Sequence, residues 1–126
     1  MITGFYTAVL AVMLVGLLTG VILRRWKYKV GLGDGGIPQL IKAIRAHGNF
    51  VEVVPFLLIE MFILESQGWE EWAVHAFGIT IIISRLMHAY GIYHRSGVSW
   101  GRTGGMVLTQ GLLLVGAVGL ILQFIS

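Results

Sequence analysis

Arg45, Asn49 and Glu52 stand at i, i+4 and i+7, so a helix through them sets a cation, an amide and a carboxylate on one face. Arg85 and His88, three apart, share a face in the same way, with Ile92 next along it, and Arg102 follows further down the chain. Three arginines set against one acidic partner leave surplus positive charge, and that surplus invites an anionic ligand. The host segment, Arg45 to Phe56, is otherwise apolar enough to cross a bilayer. An ionised side chain there costs at least ~2.5 kcal/mol on insertion scales, so its presence points to a job.

The elements that must position these residues follow from hydropathy. The chain of 126 residues is 56% hydrophobic and 12% charged, with a mean hydropathy of +0.84. Ordinary globular domains carry about a quarter charged residues, so this is a membrane protein. Ile2 to Leu23 has no charged side chain and, at ~1.5 Å per residue, spans a hydrocarbon core of roughly 30 Å. The basic residues Arg24, Arg25, Lys27 and Lys29 follow this run instead of preceding it, so it reads as a retained span and not as a cleaved signal peptide. Pro38 suits a helix's first turn and opens a second span that runs to Ser66, before Gln67-Gly68 breaks it. A third runs from Trp69 to His94, with Trp69 and Trp72 at an interfacial belt. Gly104 to Ile125 is the fourth. The expected architecture is an all-α integral membrane protein, one domain over residues 1–126, built as an antiparallel four-helix bundle.

Six of the nine Lys and Arg residues fall between Arg24 and Arg45, while the second connection carries Glu65, Glu70 and Glu71 and no basic residue. By the positive-inside rule the first and third connections face the cytoplasm and both termini face outward. Anchoring beside a span accounts for the basic cluster, so no nucleic-acid partner is expected. The Gly-rich stretch Gly31 to Gly36 follows a span and not a strand, which makes it a turn before it makes it a phosphate loop; Asp34 is placed to help cap the second helix. Cysteine is absent, excluding disulfides and a protein thiol nucleophile. The four histidines show no ligand spacing with carboxylates, so no metal is expected.

Glu52 and Arg85 each lie roughly two to three turns inside the boundary by the helical rise, so an ion pair between them is expected. Whether that pair is only structural or part of a ligand site is left open by the spacing. Glu60, two turns beyond Glu52, reads as an interhelical hydrogen-bonding group or a proton-relay residue. Tyr90 and Tyr93 fit an interfacial role, and small residues Gly111, Gly116 and Gly119 permit close approach by the fourth helix.

The ordered set Arg45-Ala46-His47-x-Asn49-x-x-Glu52, Pro55-Phe56, Arg85-x-x-His88 and Arg102 resembles the MAPEG family, the membrane-associated proteins in eicosanoid and glutathione metabolism, over nearly the whole chain. The resemblance implies a homotrimer with glutathione between neighbouring subunits near the cytoplasmic side. It implies Arg45, Asn49, Glu52, Arg85 and His88 as glutathione-binding residues, and Tyr93 is counted with them. Arg102 would be the catalytic group beside the sulfur, where a cation and a helix N-terminus favour the thiolate. Gly48, where eicosanoid-processing members usually carry a basic residue, and Ile92, where many carry tyrosine, imply fewer polar contacts to glutathione; Thr103 keeps a hydroxyl beside Arg102, and Met106 replaces an expected tyrosine. The leading reading is a glutathione transferase or peroxidase acting on a lipophilic small molecule in a bacterial inner membrane. A non-catalytic binding protein of the same fold and, third, a small transporter using Glu52, Glu60 and Arg85 are the alternatives.

Overall fold

Helix α1 (Ile2–Tyr28) ends where Lys29 turns into the left-handed region at φ 57°, with its N–H bonded to Arg25 O. Arg25 then reaches past its own helix end, its Nη1 donating to Val30 O at 3.2 Å and Gly33 O at 2.8 Å, which folds the glycine-rich turn back onto α1. In that turn Asp34 Oδ1 accepts the Gly36 N–H at 2.8 Å. Helix α2 (Pro38–Ser66) starts with Pro38 at its first turn as expected, but its N-cap is Ile37 with no side-chain cap; Asp34 organises the preceding turn instead of the helix. The computed structural model describes residues 1–95 and 99–126, and four α-helices make up its regular structure.

Gly68, at φ 90°, turns the chain after α2. Helix α3 (Glu71–His94) begins two residues later than the hydropathy suggests, with Glu70 at the N-cap. Helix α4 (Trp100–Ile125) begins four residues earlier than expected, because Ser99 Oγ accepts the Arg102 N–H at 3.1 Å and nucleates a turn ahead of the glycines. All four helices are long and apolar enough to cross a membrane.

α2 and α3 form the centre of the bundle: α1 packs on both, and α4 packs on both from elsewhere, while among the described residues α1 and α4 do not pack on each other. The main core joins Tyr6 and Leu10 of α1, Phe50, Val54, Leu57 and Met61 of α2, and Val74, Phe77 and Ile81 of α3 to Leu112 of α4. Hydrocarbon is as apolar as these side chains, so close packing and interhelical hydrogen bonds hold the helices together. At the end bearing Glu65, that carboxylate caps α1: it accepts the Ile2 N–H at 2.6 Å, the Thr3 N–H at 2.8 Å and the Thr3 hydroxyl at 2.5 Å. Two of the amides that helix geometry leaves unpaired are satisfied from another helix.

The α3–α4 contact is built on glycine. A Cβ on Gly91 would collide with Arg102 N, and one on Gly105 would lie 2.6 Å from Ser84 O and 2.8 Å from His88 Cβ. A Cβ on Gly101 would lie 2.9 Å from Met87 O. These are the small residues that let two backbones meet in a membrane. Of the three glycines singled out by sequence, Gly116 seats the Glu60 carboxylate and Gly119 seats Trp69, whereas Gly111 faces open space.

Candidate functional site

Arg85 is 1% exposed, and the close α3–α4 approach fixes what surrounds it. Its Nη2 donates to Asn49 Oδ1 at 2.5 Å and meets His88 Nδ1 at 3.3 Å, while Nη1 donates to Thr109 Oγ1 at 3.3 Å. Thr109 turns its own proton to Gly105 O at 2.8 Å, leaving lone pairs for the guanidinium. Ser84 donates to Ile81 O at 2.8 Å and lies beside Thr109. Three helices therefore hold one cation with neutral acceptors. Arginine is a donor only, so His88 Nδ1 accepts, and the ring proton sits on Nε2. Phe50 lies beneath the guanidinium, 6.0 Å from ring centroid to Cζ. Arg85 Nε is buried without a hydrogen-bond partner.

The expected Glu52–Arg85 ion pair is not formed. Arg85 points into the bundle, whereas Glu52 is exposed on the outer side of α2. The stripe at i, i+4 and i+7 shares a face only approximately: Asn49 turns far enough inward to meet Arg85, and Arg45 and Glu52 stay outside. Those two converge over Gly48, where a Cβ would lie 3.7 Å from Arg45 Nη1 and 3.9 Å from Glu52 Oε1. The absent side chain leaves a gap bracketed by opposite charges.

Arg102 occupies the third residue of α4, partly buried, and lines a hollow of ≈ 430 Å³ with Thr103, Met106, Val107 and Gln110. Arg45 lies one turn before Asn49 on α2, and Arg102 three residues before Gly105, whose backbone packs on His88. Four of the expected residues, Arg45, Asn49, Arg85 and His88, thus gather with Arg102 at one end of the bundle, and Glu52 sits at its outer edge. Tyr93 does not join them: its ring stacks against Arg24, 4.9 Å from centroid to Cζ, and packs on the apolar cluster Val21, Leu40 and Ala43 between α1 and α2. Ile92 is buried. Sequence reasoning missed Thr109 and Ser84; a hydroxyl one turn beyond Gly105 in a mostly apolar span was the available signal for Thr109.

A bundle of four apolar helices, with a buried arginine held by neutral acceptors and two exposed side chains of opposite charge near it, defines a multi-span membrane protein. The family model described as MAPEG family matches residues 3–122, and the chain belongs to that family. It is similar to the inner membrane protein YecN of Escherichia coli K12, with 39% identity over 115 residues, 91% of this chain and 87% of that protein. YecN of Escherichia coli O6:H1 matches with the same identity and coverage.

Proposed function

We propose that this protein is a membrane glutathione transferase with peroxidase capacity, which holds glutathione at the Arg45–Glu52 cleft and raises its thiolate population beside Arg102. Glutathione offers two carboxylates, an ammonium and a thiol. The observation that carries the reading is the gap over Gly48, flanked by Arg45 Nη1 and Glu52 Oε1, because an amino-acid zwitterion needs a cation and an anion within one side-chain length. Arg85, locked by Asn49, Thr109 and His88, supplies fixed positive potential behind that gap for the second carboxylate.

Arg102 sits in the first turn of α4, where the guanidinium and the free amides of the helix add in the same direction. A thiol of pKa ~8.5 is a few per cent ionised at neutral pH, so a shift of ~2 units contributes about 2.7 kcal/mol to thiolate formation. The thiolate then attacks a lipophilic electrophile arriving from the bilayer, a step that needs no protein nucleophile. Arg45 and Glu52 lie on an exposed face of α2 that also carries Phe56, Ile59 and Phe62. Charged groups on such a stripe fit a partner subunit better than lipid, which supports assembly with further copies; the homotrimer with the cleft between copies is what the resemblance to the MAPEG family implies. The similarity to YecN supports the bacterial inner membrane, with the basic end of the bundle toward the cytoplasm.

The test is the ultraviolet thiolate absorbance of glutathione titrated with detergent-solubilised protein. A thiolate band that vanishes in Arg102→Ala supports the transferase; no band in the natural chain rejects it. A second reading, a binding protein without turnover, is favoured by buried Ile92 and by Gly48, both of which remove polar contacts. Detectable conjugation of a generic electrophile rejects that alternative.

A further inference from the structure

Beside the Arg102 hollow, the α3–α4 pair carries a groove whose lining residues the glutathione reading does not use. It has a volume of ≈ 790 Å³ and runs between the C-terminal turns of α3 (Leu86, Met87, Tyr90, His94) and the first turn of α4 (Ser99, Trp100). A second hollow of ≈ 650 Å³ shares Met87, Arg95, Ser99 and Trp100 with it and continues along α4 past Val107. We propose that this groove binds an anionic phospholipid, with the phosphate held at the His94–Arg95 end and an acyl chain lying along α3.

The outer face of α3 gives the chain its track. Ile79, Ile83, Leu86 and Tyr90 are all exposed at helical spacing and form one continuous stripe without a polar side chain before Tyr90. This stripe differs from the exposed stripe of α2, which carries Arg45 and Glu52; the α3 face fits hydrocarbon and the α2 face does not. At its end the stripe meets two amphipathic rings, Tyr90 at 66% exposure and Trp100 at 87%, which belong at headgroup depth.

The headgroup end has chemistry for a phosphate. Arg95 is exposed and lines both hollows, and among the described lining residues none is acidic. His94 stacks on Tyr90 with ring centroids 4.0 Å apart, and its Nδ1 bonds Tyr90 O at 2.9 Å. A carbonyl oxygen only accepts, so Nδ1 carries a proton and is taken, and Nε2 is the ring atom left open. Gly91 and Gly101 bring α3 and α4 so close that the groove has a backbone floor. Positive charge, ring anchors and an apolar track in that order match the charge order of a lipid molecule lying at the interface.

The test uses the full chain reconstituted in phosphatidylcholine vesicles, with phosphatidylglycerol or phosphatidylcholine brominated on the acyl chain as quencher of Trp100. Trp100 emission is read as the difference between the natural chain and Trp100→Phe. Quenching that saturates at about fivefold lower brominated phosphatidylglycerol than brominated phosphatidylcholine, the worth of one basic side chain at an anionic headgroup, supports the site. The preference should disappear in the double variant His94→Gln, Arg95→Gln and should withstand added inorganic phosphate. Equal quenching by both lipids reduces the groove to ordinary lipid-facing surface and overturns the proposal. No quenching by either, as when a second copy of the chain covers the groove, overturns it too. Release by inorganic phosphate would make it a free-anion site. Native mass spectrometry of the unsubstituted protein, counting retained phosphatidylglycerol against phosphatidylcholine, gives an independent reading if the Trp100 variant does not fold.

Discussion

Arg85 of α3 donates to Asn49 Oδ1 of α2 at 2.5 Å, and this contact, with Thr109 from α4, replaces the carboxylate partner that a buried arginine ordinarily takes. The cation keeps its full charge because nothing anionic cancels it. In the proposed function, a ligand carboxylate approaching the same end of the bundle meets this positive potential.

Asn49→Leu should remove the strongest acceptor of Arg85 and destabilise the bundle by about 2–3 kcal/mol, the range for a hydrogen bond to a buried charged group. Thermal unfolding in detergent checks it. Asn49→Asp supplies an anion at the same place and should raise stability while weakening glutathione binding, since it neutralises the potential that a ligand carboxylate uses.

Arg45→Ala and Glu52→Gln should each weaken glutathione binding about tenfold, the equivalent of ~1.4 kcal/mol, with unfolding temperature unchanged because both side chains are exposed. Calorimetric titration checks the binding, and thermal unfolding separates this outcome from the pairing expected by sequence. Had Glu52 balanced Arg85, Glu52→Gln would destabilise the fold strongly.

Gly105→Val should disrupt α3–α4 packing, since even a Cβ there lies 2.6 Å from Ser84 O. Overpacking of this kind costs about 1–3 kcal/mol, and the shift would also drag Thr109 off Arg85. Gly111→Ala, on the open side of the same helix, should change stability by no more than about 0.5 kcal/mol. Unfolding midpoints of the two variants, measured side by side, check the contrast.

Glu65→Ala should expose the uncapped start of α1 and cost about 1–2 kcal/mol, as loss of a helix N-cap does. Hydrogen exchange should then rise in the first turn of α1 while the Arg85 region stays protected, because Arg85 meets α2 at Asn49, more than four turns before Glu65.

What the sequence by itself determined is everything that depends on composition along one chain. Two uncharged runs and two mostly apolar ones are long enough for four spans, Pro38 suits a helix's first turn, and Arg45, Asn49, Arg85, His88 and Arg102 fall toward one end because their distances from the span boundaries are counted in residues. Tertiary structure decided which of these side chains touch. Around a helix that is apolar on nearly every side, hydropathy carries little record of rotation, so nothing in the residues said that Asn49 would face inward and Glu52 outward. Nor did it say that Tyr93 would turn to α1, that Glu65 would cap a helix sixty residues away in sequence, or that Gly91, Gly101 and Gly105 would carry the α3–α4 contact. Those outcomes rest on the mutual rotation and axial register of packed helices. A glycine's missing side chain fixes these only once there is a neighbouring backbone for it to admit.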